Sequence, residues 1–269
     1  MFGFLDFLHY RINEEEIIDE INDPIMFHSF SKKIYNFEGD QQWLIFSGWN
    51  MPHRKTELLG FLPKNGKVMV YAGPMSIVGK TPMESKEAMD GLEKDIEKTL
   101  SFLGMDSRNL NVLGFSAGTY PAFYFANKYR AKKFVAISPG GRMGEGMFKS
   151  EIAQECRRWA EKLGFSPESF DEILKDYNQE NNLKKLPMNQ IQIFGGWFDR
   201  YVRNGDTRKL VKKIKNVGKN PVFKNYLMLD HISLIMWLGF KNRLGLDPYQ
   251  LKRQPKTERF WNRLKKAGQ

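Results

Sequence analysis

The stretch NLNVLGFSAGTYPAFYFANKY, residues 109–129, constrains this chain more than any other. Its opening is apolar enough for a strand buried on both faces, and its end reads as a helix. Between them stand Gly114, Phe115, Ser116, Ala117 and Gly118. A buried strand has no use for glycine, serine and glycine in that order. A sharp strand-to-helix turn does. Bulk at either glycine would collide with the adjoining strand or helix, and the serine between them is strained so that its hydroxyl is exposed. The helix that follows aims the partial positive charge of its N-terminus at the same place. Pro121 falls near its first turn, where a missing N–H is tolerated.

The rest of the chain alternates. Strand patterns at 29–37, 41–46, 67–72, 109–115, 132–138, 190–196 and 222–229 are interleaved with helical ones at 53–62, 83–104, 117–129, 206–216 and 232–240. Such alternation predicts an α/β fold: a mostly parallel central sheet with helices on both faces and right-handed crossovers. The Gly39-Asp40 turn predicts that the first two strands pair as a hairpin. Residues 139–188 break the alternation. They open with PGGRMGEG, continue as helices over 148–163 and 167–178, and end at Pro187. This insert reads as a helical cap over one end of a core made of 29–138 and 189–240. Residues 1–28 read as a helical segment and 241–269 as a basic tail.

With 269 residues, 41% of them hydrophobic, the chain can build a large core. No run approaches the roughly 18 apolar residues of a membrane span, so a soluble protein is expected. The first residues, MFGFLDFLHYRI, lack a basic leader region and a cleavage site, and Cys156 alone cannot form an intramolecular disulfide. Both fit a cytoplasmic address, with peripheral membrane attachment left open. The net charge of +11 favours anionic partners or serves solubility alone. No nucleic-acid motif accompanies it, and no nucleic-acid partner is expected. In the tail, Lys252, Arg253, Lys256, Arg259, Arg263, Lys265 and Lys266 oppose only Glu258, while Phe260, Trp261 and Leu264 share a helix face. That pattern suits an anionic membrane surface, a docking partner or a solvated helix. Phosphate-loop, dinucleotide and metal motifs are missing, and no cofactor is expected. Cys156 lies inside a predicted helix and reads as a small buried hydrophobe.

Its GxSxG between strand and helix, in this α/β context, makes the chain similar to the α/β-hydrolase superfamily over residues 29–240. The resemblance implies a Ser, acid, His order along the chain. GGWFDRYV (195–202) matches the superfamily's G-x-x-D-x-x-V turn at Gly196, Asp199 and Val202, which makes Asp199 the acid, with Asp206 as the alternative. LDHISL (229–234) supplies His231, the one histidine after Ser116; His9, His28 and His53 precede it. Asp230 stands where the superfamily commonly has glycine, which would set a second carboxylate beside the imidazole. The implied oxyanion hole takes the N–H of Ala117 and that of Trp49, in FSGWN (46–50), with Ser47 where histidine is frequent. The Trp49 indole would wall the acyl pocket. His53 is a candidate substrate contact or a surface helix residue. The cap residues Met143, Met147, Phe148, Trp159, Phe165, Phe170 and Tyr177 are candidates for packing the cap or lining an acyl pocket.

The activity implied is that of a serine hydrolase acting on a small acyl ester or thioester through an acyl-enzyme on Ser116. An acyltransferase, a peptidase and a non-catalytic lipid- or partner-binding module are the alternatives. WLIFSGWNMP (43–52) is also similar to the opening of the carrier-protein methyl ester esterases of biotin synthesis, which implies an acidic carrier protein as a partner for the +11 surface.

Overall fold

The computed structural model describes residues 31–244, apart from 50, 52, 64 and 73–80. The expectations for the N-terminal segment and for the tail beyond 244 lie outside the described residues, as do His9, His28 and the side chain of His53.

Seven strands form one mixed sheet among the described residues. They are β1 (Ser31–Asn36), β2 (Gln42–Phe46), β3 (Lys67–Ala72), β4 (Leu110–Phe115), β5 (Lys133–Ile137), β6 (Ile191–Gly196) and β7 (Val222–Tyr226). Their order is β1-β3-β2-β4-β5-β6-β7, and every pairing except that of β1 with β3 is parallel. Strands β4 and β6 are buried along their whole length, as strands covered on both faces must be.

The predicted hairpin does not form. β1 pairs antiparallel with β3, from Ser31 opposite Ala72 to Asn36 opposite Lys67, and β3 lies between β1 and β2. The reason is burial. Val68, Met69, Val70 and Tyr71 are fully shielded from solvent, whereas β1 is largely exposed. A β1–β2 hairpin would push the apolar β3 to the edge; the observed order gives the edge to β1.

Among the described residues eight α-helices accompany the sheet: α1 (His53–Leu58), α2 (Pro82–Leu103), α3 (Thr119–Lys128), α4 (Met143–Lys149), α5 (Gln154–Lys162), α6 (Pro167–Ile173), α7 (Asn204–Asn216) and α8 (His231–Arg243). The long α2 begins on a reciprocal cap between Thr81 and Glu84 and stops at Gly104, whose φ of 60° is left-handed. Alternate residues along the strands feed two cores. Leu44, Phe46, Val112 and Phe134 face α2, α3 and α7; Ile45, Leu113, Val135 and Phe194 face α8.

The insert differs in detail from its expected form. Its first helix starts at Met143 and is halted by extended backbone at Ser150, and its third ends at Ile173. Met143, Met147, Cys156, Phe170 and Leu174 belong to the same apolar cluster as α2 and α3. The insert therefore shares the main core rather than enclosing one of its own.

Candidate active site

Parallel strands bring their carboxyl ends to one edge of the sheet, and β3 and β4 leave β2 on opposite sides, so a crevice opens there. Ser116 follows β4 at that edge. Its φ is 54°, a left-handed conformation that costs a residue with a side chain on the order of 1–2 kcal/mol. The flanking glycines make it possible. A Cβ at Gly114 would lie 2.4 Å from the Ala122 Cβ, and one at Gly118 would lie 2.3 Å from the Ser47 carbonyl oxygen. A tight turn over Ser116–Gly118 then leads into α3.

Asp199 follows β6 and His231 follows β7. Asp199 Oδ1 accepts from the N–H groups of Tyr201 (3.0 Å) and Val202 (2.8 Å), which fixes the carboxylate in its turn. Oδ2 lies 2.7 Å from His231 Nδ1. Both residues are buried, at 7% and 2% exposure. An ionised carboxylate can only accept, so this contact calls for a proton on Nδ1 and leaves Nε2 as the basic nitrogen of the neutral ring. A Cβ at Gly196 would meet the Leu229 carbonyl oxygen at 2.6 Å, so that glycine lets the end of β6 approach the segment leading to His231. The Tyr201 ring packs against the imidazole, centroids 5.2 Å apart and steeply inclined.

One expectation needs correction. Asp230 sets no free carboxylate beside the imidazole. It caps α8, accepting from the backbone N–H of Ser233 at 2.8 Å and from its hydroxyl. Asp206 sits in the first turn of α7 and pairs with Lys209, while Asp199 holds the contact to His231.

Trp49 lies in the segment after β2 and is buried. Gly48 brings that segment against the turn: a Cβ there would be 2.9 Å from the Ser116 Cβ. Trp49, Ser116 and Ala117 line one pocket with an empty volume of about 710 Å³, partly open to solvent. Met143 and Met147 of the insert line it too, whereas Phe148, Phe165, Phe170 and Tyr177 pack in the core instead.

Sequence reasoning missed Tyr120, Tyr201 and Arg142 in the lining. Tyr120 stands four residues beyond Ser116, one helical turn away, and that spacing was the available signal. Burial pushes its phenol well up, so it stays protonated and donates to the Arg142 carbonyl oxygen at 3.0 Å. Arg142 pairs with Glu180, and Lys149 with Glu145. Among the described residues no group of three or more His, Cys, Asp or Glu could hold a metal ion, and no helix is long and apolar enough to cross a membrane.

The same arrangement of strands recurs in solved structures. An esterase from Thermogutta terrifontis superposes with a TM-score of 0.55 at 14% identity, over 84% of this chain and 90% of its own. The chain has an α/β-hydrolase fold. An S-formylglutathione hydrolase from Agrobacterium tumefaciens, with the same fold, superposes at 0.55 and 13% identity, over 81% of this chain and 88% of its own. An acylaminoacyl peptidase from Pyrococcus horikoshii superposes at 0.55 and 11% identity over 85% of this chain. This chain spans 41% of that peptidase, and 38% of a second acylaminoacyl peptidase. No protein-family model and no curated protein matches the sequence. In this α/β-hydrolase fold the pocket combines residues from the carboxyl edge of the sheet with residues of the insert.

Proposed function

We propose that the protein is a serine hydrolase that cleaves carboxylic ester or thioester bonds through an acyl-enzyme on Ser116. The observation that carries this reading is the buried Asp199–His231 pair. Tyr201, packed on its imidazole, lines the same pocket as the left-handed Ser116.

In the first half-reaction Ser116 Oγ attacks the acyl carbon while His231 Nε2 takes its proton. The tetrahedral oxyanion is held by the N–H groups of Ala117 and Trp49. The carbon–oxygen or carbon–sulfur bond then breaks, and His231 returns the proton to the departing alcohol or thiol. In the second half, water gives a proton to His231, attacks the acyl carbon and releases the acid and the free Ser116 hydroxyl. Asp199 holds the ring tautomer and stabilises the imidazolium in both halves. No step draws on a cofactor.

Met143, Met147 and Trp49 give the acyl group apolar walls, which suits short to medium chains. The +11 charge suits an acidic carrier protein or an anionic surface as the bearer of the substrate, in the cytoplasm. Amide cleavage on the same groups is the second reading, favoured by the likeness to acylaminoacyl peptidases.

Hydrolysis of p-nitrophenyl esters from acetate to palmitate, by the wild type and Ser116→Ala, tests the proposal. Loss of the nucleophile is expected to lower kcat by about 10⁴-fold or more. Fluorophosphonate labelling at Ser116 without ester turnover would favour an acyltransferase. Turnover that survives in Ser116→Ala, or a wild type with neither turnover nor labelling, would sink the reading.

A further inference from the structure

One chain of buried hydrogen bonds reaches the site from the insert. Gln179 lies in a short helical turn, Gln179–Asn181, and is fully buried. Its Nε2 donates to Thr119 Oγ1 at 2.8 Å. Thr119, also fully buried, donates from that hydroxyl to the Ser116 carbonyl oxygen at 2.6 Å. The Ser116 carbonyl and the Ala117 N–H are the two ends of one planar, conjugated peptide unit. A donor on the carbonyl draws electron density toward oxygen, leaves the N–H more positive and fixes its direction.

We propose that Gln179 and Thr119 are positioning residues that orient and strengthen the Ala117 N–H as an oxyanion donor. The proposal rests on the serine hydrolase reading above. The relay runs from Gln179 Nε2–H to Thr119 Oγ1–H, to the Ser116 carbonyl, and through the peptide bond to Ala117 N–H and the oxyanion. All its dipoles point the same way, so the bonds reinforce one another as negative charge develops at the far end.

The relay is anchored at its outer end. The Gln179 backbone N–H donates to the Gly141 carbonyl oxygen at 3.0 Å, and the neighbouring Glu180 is held by Arg142 and Lys213. A threonine at this point of a helix commonly bonds back to a carbonyl for local reasons alone. A glutamine brought from 60 positions away to satisfy that threonine's oxygen has no such local reason.

The test compares Thr119→Val, Thr119→Ser and Gln179→Leu by ester turnover and by inhibition with a trifluoromethyl ketone, whose serine adduct carries the same oxyanion. Removing an oxyanion donor outright typically costs about 10² to 10³ in rate, and hydrogen-bond reinforcement is on the order of 10–30% per bond. Thr119→Val is therefore expected to lose about 5-fold in kcat and Gln179→Leu about 2-fold, with KM unchanged. Trifluoromethyl ketone affinity should fall in parallel, while the affinity of a noncovalent amide analogue should not. Thr119→Ser keeps the hydroxyl and should stay within about twofold of wild type in all respects.

Three results would overturn the relay. One is wild-type kcat and ketone affinity in both Thr119→Val and Gln179→Leu. Another is equal loss in Thr119→Ser and Thr119→Val, which would assign the effect to packing. The third is a loss that follows the melting temperature and affects both inhibitors alike; since Gln179→Leu leaves α3 intact, it decides the matter if Thr119→Val folds poorly. A wild type that neither turns over esters nor labels at Ser116 would instead remove the underlying reading, and the relay with it.

Discussion

The groups at the ends of the strands and those of the insert are held in place by different physics. Ser116, Asp199 and His231 follow strands β4, β6 and β7, whose parallel ladders fix where each chain segment emerges. Their surroundings tolerate almost no added volume, as the contacts at Gly114, Gly118 and Gly196 show. The insert has no strand. Its helices run seven to nine residues, too short to stand alone, and are tied by side chains to backbone groups. Asp171 accepts from the N–H groups of Gly144 (2.7 Å) and Glu145 (3.1 Å), and Asn178 Oδ1 from that of Met143 (2.8 Å). Burial pushes the Asp171 carboxyl up despite these bonds. The difference teaches that the proposed catalytic groups ride on the part of the fold with the least room to shift, while much of the pocket wall rides on a part held by a few polar anchors.

The largest expected effect lies on the sheet side. Asp199→Asn keeps an acceptor for the Tyr201 and Val202 N–H groups but presents the wrong partner to His231 Nδ1. A loss of about 10³- to 10⁴-fold in kcat is expected, with little change in unfolding free energy. Glu145→Gln, on the insert's side of the pocket wall, should stay within about threefold, because its ion pair with Lys149 is exposed. Steady-state kinetics on both variants sharpens the comparison; equal losses would break it.

Glycine substitutions probe the same contrast through stability. An alanine at Gly118 would press on the carbonyl oxygens of Ser47 at 2.3 Å and Phe46 at 2.4 Å, so β2 and α3 must separate. The expected cost is about 3 kcal/mol by urea denaturation. Gly164, after the second insert helix, has a φ of 82° but nothing within 4 Å of an added Cβ. Gly164→Ala should cost about 1 kcal/mol, from backbone strain alone. Comparable costs at the two positions would mean that the sheet edge yields as readily as the insert.

How much was legible follows from the same division. The turn around Ser116 could be read because its sterics are local: three small residues between a strand and a helix admit few backbones. Asp199 was readable through a turn pattern and His231 through chain order, both carried by the resemblance, since nothing in either segment says that their side chains meet. The Gly39-Asp40 turn was legible as a reversal but not as a pairing; the neighbour of β1 was decided by the apolar β3, 36 positions along from Ser31 to Lys67. The helix limits of the insert were misjudged because they depend on tertiary bonds such as Asn178 to Met143. Gln179 carries no periodic or motif signal at all. Its contact with Thr119 exists only once the insert has folded onto α3.

The smallest expected effect tests whether the insert's anchors can be altered without disturbing the chemistry. Burial alone would raise the Glu180 carboxyl, but hydrogen bonds from Lys213 and Arg142 outweigh it and hold the group below the usual glutamate range. A depressed carboxyl stabilises the folded chain above its ordinary pKa, and that contribution fades as pH falls through the folded-state value. Glu180→Gln should therefore cost about 1 kcal/mol or less near pH 7, and the difference from wild type should shrink as pH falls below the ordinary glutamate range. Urea melts over a falling pH series measure it. If anchors and chemistry are separable, kcat stays within about twofold, because Gln179 retains its own bonds to Gly141 and Thr119. A larger fall in kcat at unchanged stability would mean that Glu180 sets the reach of Gln179, and that the polar anchors of the insert act on the Ser116 turn as directly as the strands do.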